Sequence, residues 1–169
     1  MTVRKELLLH WLRDAHAMEK QSEQMLRTQI FRLENYPRLK KHMKMHLEET
    51  IFQKEQLEKC IKRLGSHYSM LKDFSAKLIG LSQVAGNMLS CDEVIQGAID
   101  SYVFENLEIA SYTILITAAE NADEIEIKQI CQQILHQEKE MAAWLLDNFT
   151  PLAKAFLVRS ELFVETAKR

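Results

Sequence analysis

The chain has 169 residues, 47% apolar and 27% charged, with a net charge of -2 and only 4 Gly and 2 Pro. That length is enough for one domain with a sizeable core, and few helix breakers beside many Leu, Ile, Met, Ala, Glu, Lys and Gln favour an all-α protein. The even charge balance, without a basic block, argues against a nucleic-acid partner, and no apolar run nears the roughly 20 residues of a membrane span.

The first helical pattern covers residues 3 to about 34. Its inward stripe reads Leu8, Leu12, Ala15, Glu19, Ser22, Leu26, Ile30, Leu33, apolar except at its centre. Arg13 and Asp14 follow too soon after Leu7-Leu8-Leu9 for this start to be a signal peptide. Asn35-Tyr36-Pro37 ends the helix, and proline suits the first turn of the next. The second helix spans about 37 to 64 and stops at Gly65, with one face through His46, Glu49 and Gln53 to Cys60. A greasier row beside it holds Leu47, Ile51, Leu57, Ile61 and Leu64.

Residues 66 to 90 read as a long crossover containing a short helix, interrupted by Gly80 and Gly86. Ser90 to Glu93 forms a capping box for a helix from 91 to about 120, whose stripe is Ala98, Ser101, Glu105, Glu108, Tyr112, Leu115, Ala119. After the tight connection Asn121-Ala122, Asp123 and Glu126 make a second capping box for a helix over about 124 to 147. Its stripe is Ile127, Ile130, Ile134, Glu138, Met141, Leu145. Thr150-Pro151 caps a C-terminal helix over 151 to 166, whose Phe156, Leu157 and Phe163 are candidates either for a dimer contact or for packing on their own bundle. Two hairpins joined by a long crossover fit a ferritin-like antiparallel four-helix bundle. Cys60, Cys91 and Cys131 lack metal-knuckle spacing and read as reduced thiols of a cytoplasmic protein.

Each of the four long helices carries a glutamate at mid-length: Glu19, Glu49, Glu105 and Glu138. Counted from the hairpin turns they come to roughly one height, Glu19 and Glu49 being offset by about 6 Å at about 1.5 Å per residue. A lone inward glutamate is read as a buried ion pair. Four at one level repel and raise one another's pKa, and no Lys or Arg lies in the stripes to neutralise them. A pair of divalent cations would do so. Glu108 offers a further oxygen, and His16, His46 and Gln53 are possible accessory ligands. Phe52 and Met141 stand where a Glu-x-x-His template needs histidine, so the set is rich in carboxylate and suits hard cations. The same gap fits a site that has decayed.

The stretches Trp11 to Gln21, His46 to Thr50, Tyr102 to Glu105, Glu108 to Tyr112 and Glu138-Lys139 resemble the bacterial YciE/YciF stress proteins, on the YciE side of that family. The likeness extends to Phe156–Glu161. It implies a fold related to rubrerythrin and the manganese catalases, a homodimer, a link to stress response, and no established reaction. It also implies Glu19, Glu49, Glu105 and Glu138 as metal ligands, with Glu108 as an extra carboxylate. YciF-like members often have histidine at the Gln53 and Asn106 positions and an acidic residue at Ala142, so this chain departs in three potential ligands or ligand partners. The expectation is a cytoplasmic stress-response homodimer with a di-metal site of iron or manganese, the di-iron carboxylate type of centre, and peroxide or dioxygen chemistry. The alternatives are a non-enzymatic interaction protein with a degenerate site and a ferritin-like iron store.

Overall fold

The computed structural model describes residues 2–65 and 93–162. Four helices make up the described chain: α1 (Val3–Arg32), α2 (Pro37–Arg63), α3 (Glu93–Asn121) and α4 (Ile125–Leu162). Each packs on two others, α1 on α2 and α3, α4 on α3 and α2, which is a four-helix bundle with α2 and α3 on a diagonal.

Local chemistry sets the helix ends. The Thr2 hydroxyl accepts the Lys5 backbone N–H to cap α1, and Pro37 opens α2 where no intrahelical N–H is needed. Gly65, with φ of 76°, takes the left-handed position that closes α2. The turn between α3 and α4 departs from the expected capping box. Asp123 adopts φ of 57° and so lies outside the helix, while the Glu124 carbonyl accepts the Lys128 N–H. A left-handed residue cannot be an N-cap, and Asp is among the residues that tolerate that conformation.

The largest departure is at Pro151. Instead of a break and a separate helix over 151–166, α4 runs unbroken from Ile125 to Leu162 with Pro151 inside it. An interior proline costs about 3 kcal/mol, but this one is exposed and the chain on both sides is held. Phe149 meets Tyr102 edge-on at 5.6 Å and packs with Leu152 on the core, and the Arg159 guanidinium lies 5.6 Å from the centre of the Tyr36 ring. Packing on either side outweighs one lost backbone bond. The crossover over 66–90, the Ser90 cap, Cys91 and Phe163 lie outside the described residues.

The core has two apolar parts. One joins Leu8, Leu12, Leu57, Cys60, Ile127, Cys131 and their neighbours. The other joins Leu26, Tyr36, Leu39, Met43, Ala98, Met141 and Leu145. Between them, at mid-bundle, lies a buried polar layer.

Candidate metal centre

The layer is built by helical periodicity. Glu19 and Ser22 of α1, Ser101, Glu105 and Glu108 of α3, and Glu138 of α4 continue the apolar stripes of their helices and are all buried. On α2 the buried row is Leu39, Met43, His46, Thr50, Gln53, Leu57, Cys60. Alternating steps of four and three place His46, Thr50 and Gln53 in the seam and leave Glu49 beside it. Leu47 and Ile51, expected in a greasy row, are only partly buried.

His46, Glu105 and Glu138 converge: one ligand atom from each lies within 4.8 Å of the others. His46 Nε2 is 3.2 Å from Glu105 Oε2 and 3.4 Å from Glu138 Oε2. Gln53 Nε2 donates to Glu138 Oε1 at 2.6 Å and to Gln137 Oε1 at 3.1 Å. The Tyr112 hydroxyl donates to Glu19 Oε1. Both oxygens of Glu105 and of Glu108, with Glu19 Oε2 and Glu138 Oε2, make no hydrogen bond among the described residues.

Electrostatics mark the same group. Burial, then the Glu138 carboxylate, pushes Glu19 well above the usual carboxylate range. Glu108 is pushed the same way by burial, then by Glu19, Glu138 and Glu105. Burial raises Glu138 to about 8. Burial works against a charge on His46, but the carboxylates of Glu105, Glu138 and Glu49 outweigh it and hold the ring well above its ordinary value. Burial and Glu19 raise the Tyr112 phenol. Among the described residues no Lys or Arg is buried. Several buried carboxylates whose oxygens make no hydrogen bond among the described residues, with His46 beside them but no buried Lys or Arg, are what a cation would neutralise. Carboxylate oxygens with one imidazole nitrogen suit a hard or borderline divalent ion.

The expected residues divide. Glu19, Glu105, Glu108 and Glu138 lie inside the layer. His46, expected as an accessory ligand, converges with Glu105 and Glu138 in it, and Gln53 touches it through Glu138. Glu49 does not enter; its side chain is 41% exposed and its Oε2 lies 3.0 Å from His46 Nδ1 on the outer side. His16 is buried and turned to Glu58 Oε1 at 3.1 Å. Glu58 and Gln137 were not singled out by the sequence; both follow from helix geometry, since they stand one turn or one residue from stripe positions. Above the layer, His42 of α2 stacks on Trp144 of α4, ring centres 3.8 Å apart and 7° from parallel.

Residues 3–158 match the family model described as a domain of unknown function, DUF892. The chain belongs to the DUF892 family. Among solved structures it is similar to a protein from Xanthomonas campestris pv. campestris, 38% identical, with a TM-score of 0.80 over 95% of this chain and 99% of that one. It is also similar to YcfI from Rhodopseudomonas palustris, 26% identical, with a TM-score of 0.68 over 86% of this chain and 94% of that one. The E. coli stress protein YciF shares the fold at 23% identity and a TM-score of 0.70, over 89% of this chain and 99% of that one. These relations agree with a family of the YciE/YciF type. No helix among the described residues is long and apolar enough to cross a membrane.

Proposed function

We propose that this protein is a ferritin-like stress-response protein, on the YciE side of its family, whose bundle core holds iron or manganese as a pair of divalent ions. One observation carries the reading: His46, Glu105 and Glu138 offer ligand atoms within 4.8 Å of one another in a buried layer. Glu19 and Glu108 adjoin them with oxygens that make no hydrogen bond among the described residues. His46 supplies the nitrogen; Glu105 and Glu138 supply oxygens beside it; Glu19 and Glu108 extend the carboxylate set towards a second ion. Tyr112 holds one oxygen of Glu19 in place, and Gln53 does the same for Glu138. A bound pair of this class would supply redox chemistry toward peroxide or dioxygen. The surrounding core excludes bulk water from the carboxylates. The match over 3–158 supports reading the chain as one domain, and we place it in the cytoplasm as a homodimer.

Elemental analysis after expression with iron and with manganese supplied separately tests this. The reading expects about two ions per chain, and Glu105→Ala and Glu138→Ala reduce that content while the circular dichroism stays helical. Metal near zero in wild-type protein from both preparations overturns it.

A second reading, an interaction protein with a degenerate site, draws on the Gln53 amide. It fills an oxygen of Glu138 at 2.6 Å that a ligand role would use. Gln53→Ala separates the two: under the first reading, where Gln53 orients Glu138, it weakens metal retention, and under the second it leaves a metal-free protein metal-free.

A further inference from the structure

Glu49 is the one mid-height glutamate that stays outside the layer. It sits one position off the buried row of α2, and its side chain is 41% exposed while that of His46 is 2% exposed. Yet it is not adrift on the surface. Its Oε2 lies 3.0 Å from Nδ1 of His46. The other nitrogen of that ring, Nε2, lies 3.2 Å from Glu105 Oε2 and 3.4 Å from Glu138 Oε2. The imidazole therefore spans the seam, with one nitrogen on a solvent-reaching carboxylate and the other on the buried ones. The backbone beneath it is fastened too, because the Thr50 hydroxyl donates to the His46 carbonyl at 3.0 Å.

A neutral imidazole has one N–H and one lone pair, and the partner of the N–H decides which nitrogen is free to bind. A carboxylate can only accept, so a proton on Nδ1 answers Glu49 and one on Nε2 answers Glu105 and Glu138; when a metal ion displaces the Nε2 proton, Glu49 keeps the remaining N–H on Nδ1. Carboxylates placed behind a ligating histidine fix both its rotation and its basicity. We propose that Glu49 is a positioning residue for His46 and not a metal ligand: it turns the ring and holds Nδ1 protonated so that Nε2 faces Glu105 and Glu138. This rests on the metal reading above, and it assigns the exposed glutamate a part that its height in the bundle does not show.

Two measurements on purified full-length protein test it. In metal-free protein, the His46 Nδ1 proton is expected as a downfield, exchange-protected NMR signal. Glu49→Ala abolishes that protection and Glu49→Gln, which keeps an acceptor oxygen, restores it. Calorimetric titration with Mn²⁺ alone then gives the same number of ions per chain in all three proteins. The Kd rises about 10- to 100-fold in Glu49→Ala and recovers in Glu49→Gln. Loss of ions from the stoichiometry in Glu49→Ala overturns the proposal by making Glu49 a ligand. An unchanged Nδ1 signal in Glu49→Ala overturns it as well. If wild-type protein takes up no Mn²⁺, it is the metal reading that fails, and the Nδ1 signal alone decides whether Glu49 sets the ring.

Discussion

The facing seams of α2 and α4 carry two very different pairs one heptad apart. Gln53 and Glu138 are joined by a 2.6 Å hydrogen bond in the polar layer. One heptad along each helix, away from the layer, the corresponding positions are Cys60 and Cys131, free thiols buried among Leu12, Leu57 and Ile127. Burial pushes Cys60 up to about 11, and burial with the neighbouring Cys60 pushes Cys131 to about 12, so both stay neutral. The same helices accept either chemistry at equivalent positions. Bundle geometry thus does not require the polar layer, and its charges need a reason beyond folding.

That comparison can be broken first on the apolar side. Leu57→Ala, at a site with 0% exposure, is expected to lower unfolding free energy by about 2–5 kcal/mol, read by urea titration. A loss well under about 1 kcal/mol would mean that this half of the core is loosely packed.

On the polar side the sign reverses. Replacing His46, Glu105 and Glu138 together by leucine removes the buried ionisable groups as a set and is expected to stabilise metal-free protein by about 1–4 kcal/mol. It should also abolish any rise in Tm on adding Mn²⁺. Destabilisation of the triple variant would show that the layer is needed for packing.

A smaller effect comes from pH. Glu138 is raised to about 8 from an ordinary value of 4.5, and Glu19, Glu108 and His46 are raised too. The folded chain then binds more protons than the unfolded one between about pH 4.5 and 8, so stability is greatest at the acid end of that window and falls as pH rises. The Tm of metal-free protein should drop across it, and the leucine triple variant should flatten the slope. Bound Mn²⁺ should act in the opposite direction, since ligands bind deprotonated. The smallest change expected is from Arg27→Ala. It removes an exposed i,i+4 pair with Glu23 and should cost only about 0.3–0.5 kcal/mol by urea titration.

Much of the bundle was legible because period and burial agree. All seven residues of the α3 stripe, from Ala98 to Ala119, are buried. The α1 stripe behaves likewise apart from a half-buried Ile30. Counting from the turns puts Glu105 and Glu138 at one level, where the structure has them near each other, since α3 and α4 are packed neighbours joined by a tight turn. On α2 the count gave height without rotation. Glu49 has the right level but the wrong side, and the row from Leu39 to Cys60 that puts His46 inward was visible in the sequence without being preferred. Pro151 differs for another reason: a local rule about one backbone bond is overridden by ring contacts from Tyr36 and Tyr102, which no local window contains.

The stack of His42 on Trp144 bridges α2 and α4 beside the layer, with ring centres 3.8 Å apart. The chain has two tryptophans; the other, Trp11, is on α1 and 36% exposed. Indole emission responds to a ring lying flat against it, so the protein carries its own optical gauge of the spacing between those two helices. Any event in the layer that draws α2 and α4 together or apart is readable as a change in fluorescence, without a label.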